Sequence, residues 1–147
     1  VQCHISDTRR ASVFGTPGVD IDWRNQNTFF LKTGEAKTYI GKYRGVNRIP
    51  LLKLSEMYLI AAEASGDKGY LQTLRDHRGY VNYPLEENCD LAAEIEAEYR
   101  KEFMAEGQLF YYYKRLDYNT LPDMGVVMTG NYVFPMPDDE MEFGDIK

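Results

Sequence analysis

A chain of 147 residues can bury roughly two-thirds of its unfolded surface, so neither a disulfide nor a metal is required to hold it together. Its 17 Lys+Arg against 23 Asp+Glu leave a net charge of -6, which argues against general binding to nucleic acid or to an anionic membrane. At 44% hydrophobic and 27% charged residues the composition is that of a folded globule. The 12 Tyr supply rings with an apolar body and a polar tip, suited to half-buried and ligand-facing positions.

The charge is unevenly spread. Residues 1–50 carry eight Lys/Arg and four Asp/Glu, whereas 51–147 carry nine and nineteen, so the two portions are expected to face different surroundings. The start at Val1, with a polar stretch already under way, reads as a piece of a longer chain. No basic segment followed by an apolar one marks a signal peptide, and no run of about 18 apolar residues would span a membrane. Cys3 and Cys89 allow one pairing, with free thiols the expectation. His4 and His77 are too few for most zinc constellations, and neither a metal nor a cofactor is expected.

In chain order, residues 1–48 contain Gly15, Pro17, Gly18, Gly34, Gly41 and Gly45 without a sustained helical period. They are predicted to form irregular loops, with short strands near Thr38–Tyr43. Within them Trp23 stands beside Arg24, Asn25, Gln26 and Asn27. That pattern suits sugar contact, the indole offering an apolar face to a pyranose and the amides planar donors and acceptors to its hydroxyls. A Trp that anchors a loop on the core is the commoner alternative. Tyr39, Tyr43 and Arg44 share the same two readings.

Residues 49–147 are expected to be helical. Pro50 suits a first helical turn, and Leu51, Leu54, Met57, Tyr58, Ala61 and Ala62 follow at helical spacing up to Gly66. A second helix is predicted over Tyr70–Arg78, close enough to pack antiparallel on the first. Asp90 can cap one long helix from Leu91 to about Arg115, roughly 38 Å in length, with Gly107 marking a kink or a close approach. A small hairpin is predicted over 125–134, turning at Gly130–Asn131 and ended by Pro135 and Pro137.

Glu98, Glu102 and Glu106 recur every fourth residue and share one face of the long helix. Paired carboxylates are the equipment of a glycosidase, and a carboxylate-bridged metal site would need the Glu-x-x-His that is absent here. Structural ion pairs are the favoured reading, with Arg75 and Arg78 forking onto carboxylates of the long helix. No Gly-rich phosphate loop, Gly-x-Ser-x-Gly elbow or Cys-x-x-Cys pair is present.

Four segments carry a resemblance. Arg48-Ile-Pro-Leu-Leu-Lys-Leu-Ser-Glu-Met-Tyr-Leu-Ile-Ala-Ala-Glu-Ala64 resembles the corresponding stretch of the SusD/RagB family of outer-membrane nutrient-binding lipoproteins. Leu71-Gln-Thr-Leu-Arg-Asp-His-Arg78 resembles that family's Leu-Asn-x-Val-Arg-x-Arg helix. The segment from Glu98 to Arg115 resembles its Glu-Arg-Arg-x-Glu-Phe-x-x-Glu-Gly helix, and Tyr132–Glu140 its closing Pro-Ile-Pro-x-x-Glu. Tyr99, Gln108-Leu109, Met136 and the ending after Glu142 depart from the family pattern.

The resemblance implies a mainly α fold of tetratricopeptide-like helix pairs plus one long helix, with irregular loops and a small β-hairpin near the C-terminus. It implies a non-catalytic cell-surface protein that binds oligosaccharide and delivers it to a SusC-like TonB-dependent transporter. The protein would sit on the extracellular face of the outer membrane through a lipid anchor on an upstream part of the precursor. The glycan-contact residues would be among Trp23, Asn25, Asn27, Tyr39, Tyr43 and Arg44. The alternatives are a scaffold that touches only the transporter, and a hydrolase using Glu98 and Glu102.

Overall fold

The structure, a computed structural model, describes residues 3–121, 127–128 and 132–133. The protein is mainly helical, with a small antiparallel sheet of three strands. It divides into two units, one ending at Gly107 and the other spanning Gln108–Lys147.

The first unit opens with β1 (His4–Ile5), and Ser6 then caps α1 (Asp7–Ile21) by accepting the Arg9 amide through its hydroxyl. Gly15 and Thr16 leave helical geometry and divide α1 into two legs, the second starting at Pro17, whose fixed φ suits a first turn. Asp22 caps the short α2 (Trp23–Asn27). β2 (Phe29–Leu31) and β3 (Thr38–Ile40) form a hairpin, and β3 lies in the centre, with Tyr39 opposite both His4 and Phe30. Residues 7–27 are therefore mostly helical, contrary to the loop-rich expectation for 1–48. Their pattern is hidden because Gly15 and Pro17 break the period inside the helix, leaving two legs each too short to show it.

The helical pair is α3 (Leu54–Ser65) and α4 (Lys68–Asp76). Gly66, at φ 69°, supplies the left-handed residue that ends α3, and Asp67, the next residue, caps α4. The start of α3 meets the end of α4, where Leu54, Ser55 and Tyr58 lie against Leu74, His77 and Arg78, so the pair is antiparallel. Helix α3 begins at Leu54 and not at Pro50: Leu51 and Leu52 are almost fully exposed and give a helical turn there nothing to pack on.

One long helix over 91–115 does not form. The chain makes α5 (Leu91–Glu102), a turn over 103–107 and then α6 (Gln108–Arg115). In a continuous helix the Glu102 carbonyl would accept the Glu106 amide. That amide instead donates to Phe103 O, and Lys42 and Lys53 donate their ammonium groups to Glu102 O. Two cations thus satisfy the end of α5 where its carbonyls carry partial negative charge. Ala105 and Gly107 turn the backbone through positive φ, 61° and 77°. The core of this unit is built from Phe14, Leu59, Leu71, Leu74, Ile95 and Phe103, all buried, with α5 packed on both α1 and α3.

In the second unit Tyr112 and Tyr113 are buried and Tyr111 is exposed, as a helix carrying three successive tyrosines requires. The Tyr113 and Tyr118 rings meet at 5.1 Å, and Thr120 bridges to Val127. The hairpin expected over 125–134, with its turn at Gly130–Asn131, lies largely outside the described residues.

Candidate functional site

Two neighbouring arrangements in the first unit hold most of the chemistry-bearing side chains: a buried charge network and an open cleft. The network is built on α5. Glu98, fully buried, and Glu102 project from one face of that helix, and Arg24 of α2 reaches both, Nη2 to Glu98 Oε2 at 2.7 Å and Nη1 to Glu102 Oε2 at 3.1 Å. Arg24 also forks onto Asp22 through Nε and Nη2 at 3.0 and 2.7 Å. Arg78 donates to both Glu102 oxygens at 3.1 and 3.2 Å, Ser55 Oγ to Glu102 Oε1 at 2.9 Å, and Lys101 to Glu98 Oε1 at 2.8 Å.

Burial alone would raise the Glu102 carboxyl, but the Arg78 hydrogen bonds and the charges of Arg78 and Arg24 prevail and hold it at about 2. Glu98 is likewise driven below the usual carboxylate range, desolvation being outweighed by Arg24 and Lys101. Desolvation also opposes the charge on Arg24, yet Glu98 and Asp22 secure its protonated form. Burial, then Asp22 and Glu98, push the Tyr80 hydroxyl up. A glycosidase acid must have a raised pKa; here both α5 carboxylates are held ionised and locked by cations, so they serve as structural anions.

The sequence placed Arg75 and Arg78 on these carboxylates. Arg78 is there, whereas Arg75 pairs with Glu94 at 2.7 Å and stacks over the Tyr80 ring. Glu106 does not continue the face of Glu98 and Glu102, because α5 has ended, and it pairs with Lys42 and Lys53. Arg24, which the sequence gives no part in the ion pairs, is the residue that joins them. Its signal was the opposite charge of the two portions of the chain, a basic first third able to neutralise an acidic remainder.

The cleft, about 460 Å³, is walled on one side by Cys3, Phe30, Lys32 and the turn Gly41–Arg44, and on the other by Met104, Ala105 and Glu106. Gly41 is required: a Cβ there would lie 2.7 Å from Phe30 Cδ1. The Arg44 amide closes the turn on Gly41 O at 2.9 Å, and the Arg44 guanidinium lies over the Phe30 ring, 4.3 Å from its centroid. Burial pulls Lys42 below the usual lysine range against the Glu106 hydrogen bond. The same carboxylate raises Lys53 in spite of its desolvation. Tyr43 lines the cleft, and its buried hydroxyl lies close enough to the Lys53 ammonium to support that residue's charge.

No family model, curated protein or solved structure matches the chain. Of the residues marked for glycan contact, the cleft gathers Tyr43 and Arg44. Tyr39 is buried in the sheet, stacked on Phe30 at 5.7 Å and hydrogen-bonded to Glu35. Trp23 is 54% exposed and lies over Gly79, outside the lining of the cleft. Asn25 points inward and donates to Val19 O at 2.6 Å, and Asn27 donates back to Trp23 O at 2.7 Å. The two amides shape the α1–α2 corner and are not gathered for a ligand. Among the described residues no group of three or more His, Cys, Asp and Glu is arranged to hold a metal. No helix among them is long and apolar enough to cross a membrane. Both cysteines are free thiols.

Proposed function

We propose that this chain is part of a SusD/RagB-like glycan-binding protein that works without catalysis. In that role it binds oligosaccharide at the outer face of the outer membrane and passes it to a SusC-like TonB-dependent transporter. A lipid on an upstream part of the precursor would be the membrane anchor. One observation carries the reading. Three of the four segments that bear the resemblance contribute to one buried network, Ser55 from the first, Arg78 from the second, and Glu98 and Glu102 from the third. The motif residues are thus the ones that fasten the segments to each other, which is the relation expected if the motifs encode a shared scaffold.

The cleft beside Tyr43 and Arg44 is the glycan site in this reading. It is concave, of the size used for small-molecule sites, and opens between a turn and a loop. A glycan-array screen of the chain is the test: retention of an oligosaccharide class, weakened at least tenfold by Tyr43→Ala, is expected. Absence of binding across the array removes the glycan reading. A second reading, a scaffold that contacts only the transporter, draws on the exposed apolar run Ile49, Leu51, Leu52, Leu54 and Met57. Co-purification with a transporter together with a silent array would select it.

A further inference from the structure

The cleft has a charge that a neutral sugar would not use. Lys42 and Lys53 share the single carboxylate of Glu106, which leaves one positive charge uncompensated. Lys32 is balanced by Glu35 at 2.9 Å. Arg44 has no carboxylate partner among the described residues; what holds it is the Phe30 ring. This positive surplus occurs in a chain whose net charge is -6.

A guanidinium fans five N–H donors out in its own plane, so with its carbon over an aromatic ring some of them remain directed away from the ring. Arg44 is therefore held at the cleft with N–H donors available, the group type that takes a carboxylate through charge-assisted hydrogen bonds. The turn fixes it further, since the Phe30 ring against which Arg44 rests is seated on Gly41, where any side chain would collide with it. Tyr43 adds a buried hydroxyl to the lining of the cleft. The Lys53 ammonium lies 5.6 Å from the Tyr43 ring centroid, and the Tyr43 hydroxyl helps hold its charge. A phenolic hydroxyl that accepts from an ammonium still has its own proton to donate to a ligand hydroxyl.

We infer that the cleft takes an acidic saccharide, with a uronate carboxylate held by Arg44 and by the surplus charge at Lys42, and a neighbouring sugar hydroxyl on Tyr43. The inference rests on the glycan reading above and names the class of glycan. A bare anion would answer the charge and leave most of the 460 Å³ unfilled.

The test is calorimetric titration of the 147-residue chain with trigalacturonate, maltotriose and sodium acetate at matched ionic strength. Trigalacturonate should bind at least tenfold more tightly than maltotriose, weaken at 0.3 M NaCl, and slow maleimide labelling of Cys3, which lines the cleft, without slowing that of Cys89. Arg44→Gln should weaken binding at least tenfold at an unchanged melting temperature, because Arg44 is exposed and stands outside the buried network. Arg44→Lys, which keeps the charge and loses the fork, should recover only part. Equal or tighter binding of maltotriose overturns the acidic class and leaves the glycan reading standing. Binding of neither saccharide overturns both. Acetate competing as well as trigalacturonate, or labelling of Cys3 that saturating trigalacturonate does not slow, overturns the assignment to this cleft.

Discussion

Arg24 donates to three carboxylates from a position nearly out of reach of water. Removing one partner of such a set leaves the others buried and unpaired, which costs about 3–5 kcal/mol. Arg24→Met should lower the urea unfolding free energy by that order. Arg24→Lys should recover only a fraction, because a single ammonium cannot fork onto Asp22 while reaching Glu98 and Glu102. Glu102 makes the pH dependence. Its carboxyl lies at about 2 in the folded chain against 4.5 in its ordinary state. A lowered carboxylate stabilises the fold fully above the unfolded value, and that contribution disappears as the pH falls through the folded one. Stability should therefore decline between about pH 4.5 and pH 2, with about 3 kcal/mol of the loss belonging to Glu102. Urea midpoints at pH 7, 4.5, 3 and 2 measure it, and an acid profile unchanged in Glu102→Gln would reject the assignment.

At the scale of elements, α3 has two unlike faces. Leu59 is 0% exposed and Leu54 73%. Leu59→Ala should cost about 2–5 kcal/mol and Leu54→Ala no more than about 0.5 kcal/mol, a contrast that thermal unfolding of the two variants reads directly. The corner where α4 leads back past α2 depends on Gly79. Its φ is 107°, and a Cβ there would lie 2.2 Å from the Ile21 carbonyl, so Gly79→Ala should destabilise by at least about 2 kcal/mol. Gly34→Ala meets no atom within 4 Å and bears only the strain of its positive φ, about 1 kcal/mol. Urea midpoints of the two glycine variants compare them. Helices α3 and α4 and the cap at Asp90 were legible in the sequence, because each rests on local spacing and local caps. The end of α5 was not, since nothing near Glu102 announces that Lys42 and Lys53, far away in the chain, will take its carbonyl. The apolar stripe runs on past Phe103 and hides the break.

On the scale of the molecule, part of the uneven charge is a long-range pairing. Arg24 and Lys42 belong to the basic first third, and Glu98, Glu102 and Glu106 to the acidic remainder. Composition exposed the imbalance but carries no distance, so it could not assign Arg24 to Glu98, 74 positions further along the chain. Of the candidate site, Tyr43 and Arg44 were legible as a polar-aromatic cluster. The wall that faces them, Met104 to Glu106, was not, because it exists only where the predicted long helix fails. A division at residue 48 follows the composition and cuts the pairing. The piece 49–147 should unfold without a cooperative transition at neutral pH, and adding the 1–48 peptide should restore one, as monitored by far-ultraviolet circular dichroism.

The network also orders events in time. As the chain emerges from its N-terminus, Arg24 and Asp22 are made long before α5 exists, whereas α3 and α4 need only each other and the two residues between them. Closing a loop of more than seventy residues is slower than zipping a local hairpin. The helical pair should therefore protect its amides first, and α1 with α2 should become fixed only when Glu98 arrives. Until then Arg24 is a solvated cation on an unfinished surface, and the last step of folding is the removal of its water.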